Sequence, residues 1–255
     1  MNLAVVGYKL TLSYCGSGFH GWQKQGELPT VQRALEEAVA KIWEEPIPVE
    51  GAGRTDAGVH AKGQVASFAA PRKLEPEVLK RALNYHLPDT VRVWDARIVP
   101  RKFSARFDAV SKTYQYLLWN NPVMDPFYLG RAWHIPRALD VEVMNETARL
   151  FLGKHNFAAF VSNPGIPVKN PVRTVLDCSF FKQDSLVFFN IKADGFLYRM
   201  VRNMVGALVK VGLGRLSRQE LKKIFENQKR IEAFAAAPPW GLYLLAVDYP
   251  PDKES

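Results

Sequence analysis

Cysteine is scarce: among 255 residues only Cys15 and Cys178 occur, far apart and in no metal-like spacing. That argues against a disulfide framework and against a cysteine zinc site, so no metal is expected and both thiols are expected to be ordinary buried ones. Long apolar runs are also missing, none approaching the ~20 residues a membrane helix requires, so no membrane partner is expected. Met1 to Tyr8 shows neither a basic n-region nor a cleavage site, which leads us to expect no signal peptide and a cytoplasmic location. Acidic charge is the minority sign, with 34 Lys and Arg against 25 Asp and Glu, a net charge of +9 and a pI near 9.5. With 47% apolar and 23% charged residues the chain has the balance of a globular protein, and its basic excess favours a polyanion, nucleic acid before membrane.

The charge is uneven. Residues 1–50 carry four Lys/Arg against six Asp/Glu, residues 51–110 eleven against six, and residues 191–230 ten against three. Two separated segments therefore hold the basic surface.

The first basic segment opens on Gly51-Ala-Gly-Arg54-Thr-Asp56-Ala-Gly58-Val-His60-Ala61. Three glycines and three alanines in eleven residues allow close backbone approach, while Arg54, Thr55, Asp56 and His60 concentrate polar chemistry in a ligand-facing loop. Gly51, Gly53 and Gly58 lack dinucleotide spacing and no Gly-Lys-Ser/Thr follows, so neither a phosphate cradle nor a nucleotide cofactor is expected. A solvated turn between strands is the plain alternative.

Periodicity places strands at Tyr8–Tyr14, Gly63–Ala69 and Val91–Val99, a short strand at Ile47–Gly51, and helices over Val31–Glu44 (capped by Thr30) and Glu75–Tyr85, the latter with Val78, Leu79, Ala82 and Leu83 inward. This β, α, β, β, α, β order suggests a ferredoxin-like unit, which is also the RNA-recognition scaffold, although an aromatic RNP signature is missing. Pro100 to Ala109 reads as a linker, where Phe103, Arg106 and Phe107 are either packing plus solvated charge or RNA contacts. Further strands are expected at Lys112–Trp119, Thr174–Lys182, Leu186–Ala193 and Leu242–Tyr249. Helices are expected over Val141–Phe151, from Leu197 onward, and over Arg218–Glu226 after Ser217, with a loop over Ser162–Pro171. Arg199, Arg202 and Asn203 fall off the apolar stripe of the second of these helices, either as a solvated face or, at its first turns next to Asp194-Gly195, as a place to bind a carboxylate or phosphate. The expected fold is α/β of the α+β kind: two ferredoxin-like, RRM-like halves, residues 1–105 and 106–255, with a mainly antiparallel sheet and a central basic cleft.

The loop Gly51–Ala61 resembles the signature of the TruA family of tRNA pseudouridine synthases. Gly18-Phe19-x-Gly21-Trp22-Gln23-x-Gln25, Phe103-x-Ala105-Arg106, Lys112-x-Tyr114-x-Tyr116, Gly153-x-His155-Asn156-Phe157, Phe196-Leu197-x-x-Met200-Val201-Arg202 and Ala-Pro-Pro-x-Gly241-Leu242 are similar to further family motifs. Trp240 departs from the pattern in the last, outside any proposed catalytic position. The resemblance implies the pseudouridine synthase fold and isomerisation of uridine to pseudouridine in the anticodon stem-loop of tRNA by a homodimer without a cofactor. Asp56 becomes the catalytic carboxylate, Tyr114 the ring stacked on the target base, and Arg202 the ion-pair partner of Asp56; Arg54, His60, Arg106 and Arg199 become RNA-binding candidates. Arg54 either fills the space of the flipped base or makes a structural ion pair. First attack at C1′, at uracil C6 or on the sugar C2′ proton are equally open. A non-catalytic RNA binder would gain nothing from an anion inside a basic surface, and a hydrolase built on Asp56 and His60 lacks a second carboxylate.

Overall fold

The computed structural model describes residues 5–162, 169–228 and 235–251. The chain forms two compact units, Met1–Ser111 with Leu244–Ser255, and Lys112–Tyr243.

The first unit runs β1 (Val6–Tyr14), α1 (Val31–Trp43), β2 (Glu50–Gly51), β3 (His60–Ala70), α2 (Pro76–His86) and β4 (Val91–Val99). β1 is central and antiparallel to both β3 and β4, with Leu10 opposite Ala66 on one side and Ala96 on the other. β2 pairs antiparallel with β3 at Ser67 and Ala66. The resulting order β4-β1-β3-β2 is the ferredoxin-like one. Thr30 caps α1 by accepting the Arg33 N–H at 3.4 Å, and Glu44 ends it in the left-handed conformation. Val31, Leu35, Ala38 and Val39 turn inward from α1. From α2 only Leu79 and Leu83 are buried; Val78, expected beside them, is 43% exposed, because a residue one position before Leu79 is turned ~100° away from the buried stripe. Alternation sends Thr11 and Val65 to the sheet face opposite Leu10. There Val65 joins a buried cluster with Ala52, Val99, Phe103, Ala105 and Tyr249. Cys15, expected buried, is only partly so, because the chain leaves the sheet at that point, whereas Cys178 is buried.

The second unit contains β5 (Ser111–Trp119), β6 (Trp133–His134), α3 (Val141–Ala148), β7 (Gly153–Asn156), β8 (Val172–Gln183), β9 (Leu186–Ala193), α4 (Met200–Gly212) and α5 (Arg218–Glu226). The order β5-β9-β8-β7 is antiparallel throughout, and the short β6 lies parallel to β5. The helix expected to reach Phe151 stops at Ala148 and tightens into a 3-10 turn over Arg149–Phe151. α4 begins at Met200 rather than Leu197, since Arg199 takes φ +57 and breaks the helical path. Ser217 and Glu220 form a capping box at α5. Of the loop expected over Ser162–Pro171, residues 163–168 lie outside the described residues. The closing strand β10 (Leu242–Asp248) is part of the first unit from Leu244 on, beside β3. The fold is mixed α+β with a mostly antiparallel sheet.

Candidate active site

The aspartate loop leaves β2 and enters β3, and a second loop, Cys15–Gln23, holds it along its length. Trp22 is buried with its indole against Gly51, where a Cβ would lie 2.3 Å from the ring. The Trp22 N–H donates to the Thr55 carbonyl at 3.1 Å, and the Gly58 N–H to the Phe19 carbonyl at 3.4 Å. Gly21 has φ +88, and a Cβ there would sit 2.4 Å from the Thr55 oxygen and 3.1 Å from the Asp56 carbonyl carbon. Only glycine meets both demands.

Inside the loop, the Gly16 N–H donates to His60 Nδ1 at 3.0 Å. The Thr55 hydroxyl bonds to the Tyr14 hydroxyl at 2.8 Å, and Gln64 Nε2 donates to the Gly53 carbonyl at 2.9 Å. Tyr14, Thr55, His60 and Gln64 are all buried, and burial pushes the Tyr14 phenol up to about 12, outweighing its hydrogen bonds to Thr55 and Gln64. Asp56 lies between these anchors and is partly exposed; Arg54 is exposed and, among the described residues, in no ion pair. His60, expected to face RNA, is 3% exposed, and its ring serves to hold the loop.

Gly16-x-Gly18-x-x-Gly21 has the spacing of a dinucleotide fingerprint and follows β1. No helix opens on it, since α1 begins only at Val31, so it presents no helix N-terminus to a phosphate. Gly16 and Gly21 serve the aspartate loop instead, each lying where a Cβ would strike its backbone. The buttressing role of this loop is what residue patterns alone do not assign, although its glycines and its similarity to a family motif mark the stretch in the sequence.

Arg106 belongs to the same unit and is exposed on a turn after the buried Phe103 and Ala105. The other predicted residues lie in the second unit. Tyr114 sits on β5 opposite Ile191, 7% exposed, with its ring edge-on to Phe196 at 5.0 Å. Arg202 and Asn203 are not on a solvated face: they are 8% and 0% exposed, on a helix buried almost all round. Arg202 Nε donates to the Ala237 carbonyl at 2.7 Å, while the Ala237 N–H returns to the Arg202 carbonyl at 2.9 Å. Asn203 Nδ2 donates to the Phe160 carbonyl at 2.7 Å. The Tyr116 hydroxyl donates to Pro238 at 2.7 Å; burial holds this phenol well above the usual tyrosine range, and the Arg202 charge offsets that in part. Arg202 and Tyr116 thus hold one backbone segment from two sides. Arg199 is exposed, its guanidinium 4.9 Å from the Tyr198 ring centroid.

Among the described residues no helix is long and apolar enough to cross a membrane, and no group of three or more His, Cys, Asp or Glu is placed to hold a metal ion.

Comparison with known proteins adds the following. A model of the tRNA pseudouridine synthase family matches residues 11–108 and 147–250. A tRNA pseudouridine synthase A of Methylacidiphilum infernorum is 95% identical over 255 residues, covering 100% of both chains. One of Acetivibrio thermocellus is 42% identical over 241 residues, 94% of this chain and 98% of the relative. One of Neisseria gonorrhoeae is 42% identical over 244 residues, 95% and 92% of the two. Among solved structures, a Cbf5–Nop10–Gar1 complex aligns at a TM-score of 0.35 and 14% identity over 79% of this chain and 44% of that one, too slight a likeness to argue from.

Proposed function

Since the chain belongs to the tRNA pseudouridine synthase family, and is by that membership an isomerase acting on tRNA, we propose that it modifies uridines of the anticodon stem-loop with Asp56 as its nucleophile. The observation that carries this reading is the presentation of Asp56: a partly exposed carboxylate on a loop anchored by the buried, hydrogen-bonded Thr55 before it and His60 after it. A group so fixed is preorganised, and a surface turn has no need of such support.

Pseudouridine formation breaks the N1–C1′ bond and rejoins the base through C5, so it needs neither redox change nor a group donor. An ionised Asp56 suits covalent attack, and afterwards assistance in removing the C5 proton. Arg202 is the cation that keeps it ionised in a water-excluded complex. Tyr114 stacks on the uracil, which must leave its own stack to be reached. Arg54, exposed on the loop, enters the vacated space or grips the backbone, while Arg106 and Arg199 contact phosphates. His60 keeps its structural place behind the loop. The working form is a cytoplasmic homodimer, by resemblance to the family, and tRNA is the partner.

Pseudouridine mapping of bulk tRNA from cells with and without this gene tests activity and position together. Asp56→Asn should retain the wild-type melting temperature and tRNA affinity while forming no pseudouridine. Turnover by that variant would remove Asp56 from the chemistry.

A further inference from the structure

The turn Phe103–Asp108 is held more firmly than a linker requires. Phe103 and Ala105 lie in the buried cluster with Ala52 and Tyr249. The Ala105 N–H donates to Ser67 Oγ at 2.9 Å, and its carbonyl accepts the Tyr249 hydroxyl at 2.6 Å. Ser104 Oγ accepts the N–H groups of Arg106 and Phe107 at 3.2 and 3.0 Å and donates to the Glu50 carboxylate. Asp108 accepts the Ser104 N–H at 2.8 Å. Glu50 immediately precedes the aspartate loop, so turn and loop share an anchor.

Two side chains project from this frame. Phe107 is 75% exposed, and the Arg106 guanidinium lies 5.0 Å from the centre of its ring. Folding gains little from a phenyl ring left in water, yet the backbone beneath it is fixed by the hydrogen bonds of Ser104, Ala105 and Asp108. An aromatic face held ready, flanked by a cation, is the arrangement that stacks an unpaired base while the charge meets its phosphate. The surrounding residues 51–110 carry eleven Lys/Arg against six Asp/Glu, which attracts a polyanion and opposes a second copy of the same basic surface.

We propose that Phe107, with Arg106 against its ring, is a stacking platform for a second unpaired base of the tRNA substrate, distinct from the uracil that is isomerised. The proposal rests on the tRNA-modifying function above and adds a contact to it.

The test uses the full chain, an unmodified tRNA transcript, and transcripts carrying one abasic nucleotide at successive positions of the anticodon loop. Tight-binding Kd and steady-state KM are measured for wild type and for Phe107→Ala, Phe107→Leu and Phe107→Trp. Stacking of ordinary strength predicts that Ala and Leu each weaken binding by about 5- to 150-fold, mainly through KM, and that Trp restores it. One abasic transcript should cost the wild type a similar factor and cost Phe107→Ala nothing more. Leu binding as well as Phe would overturn the proposal, because then apolar bulk suffices. So would an Ala variant that changes oligomeric state without RNA while its Kd is unmoved, the signature of a protein interface. An active wild type with an indifferent Ala variant discards only the platform, whereas a wild type that makes no pseudouridine discards the functional reading beneath it.

Discussion

Gly21 and Gly18 form a matched pair that separates backbone strain from displacement of Asp56, the proposed nucleophile. Gly21 has φ +88 and Gly18 φ +90, so alanine at either carries a similar cost for the positive dihedral, about 1–2 kcal/mol. At the size of this chain that corresponds to a melting-point fall of roughly 2–8 °C. The surroundings differ. Nothing lies within 4 Å of a Cβ on Gly18, whereas on Gly21 it would sit 2.4 Å from the Thr55 oxygen. A relaxed carbon–oxygen contact is ~3.3 Å or longer, so Gly21→Ala must push Thr55 and Asp56 away by roughly 1 Å. A misplacement of ~1 Å costs about 100-fold in a positioned reaction. The expected outcome is thus a modest loss of melting temperature in Gly18→Ala and a larger one in Gly21→Ala, where the backbone contact adds to the dihedral cost, with turnover near wild type in Gly18→Ala and about 100-fold lower in Gly21→Ala. Single-turnover pseudouridine formation at saturating tRNA, with calorimetry alongside, reads both quantities. Equal turnover in the two variants would refute the idea that the Gly21 contact positions Asp56.

Arg202→Ala should reduce turnover by orders of magnitude and also lower the melting temperature by several degrees, because the buried Ala237 carbonyl loses its donor, a loss of about 1–3 kcal/mol. Arg202→Lys retains the cation without the Nε bond, and kinetics with calorimetry should show part of the turnover restored while the melting temperature stays low. For Tyr14 the linkage has a definite sign: its folded value, about 12, exceeds the ordinary 10, so the folded state keeps a proton that the unfolded state gives up between pH 10 and 12. Stability should be indifferent to this group below pH 10 and fall above it by about 1.4 kcal/mol per pH unit, a slope that Tyr14→Phe removes in alkaline denaturant titrations. Affinity for tRNA should drop steeply with salt, log K against log salt falling by about 0.7–0.9 per phosphate neutralised; a flat line in filter-binding titrations would contradict phosphate contact by the basic segments.

What the residues disclosed by pattern and what they withheld divide along a physical line. The ferredoxin-like order of the first unit was legible because its strands alternate and its helices carry a one-sided stripe, signals that survive in local sequence. The solvated-face reading of α4 fails for the same reason: a helical wheel classifies Arg202 and Asn203 by residue type and sends them to water. Their partners are the carbonyls of Ala237 and Phe160, 35 and 43 positions away, which no local window contains. The aspartate loop shows the same division. Its polar residues marked a site, and family resemblance gave Asp56 a role, but neither could say that His60 turns inward or that Gly21 exists to admit the Thr55 carbonyl. Those are tertiary requirements of a backbone packed on a backbone, and they leave little trace in composition. On the proposed function, Gly16 and Gly21 therefore bear on the reaction without touching a substrate, by fixing the frame in which the Asp56 carboxylate is presented. Whether that frame or the carboxylate's identity limits the rate is what the Gly18 and Gly21 pair, set beside Asp56→Asn, will decide.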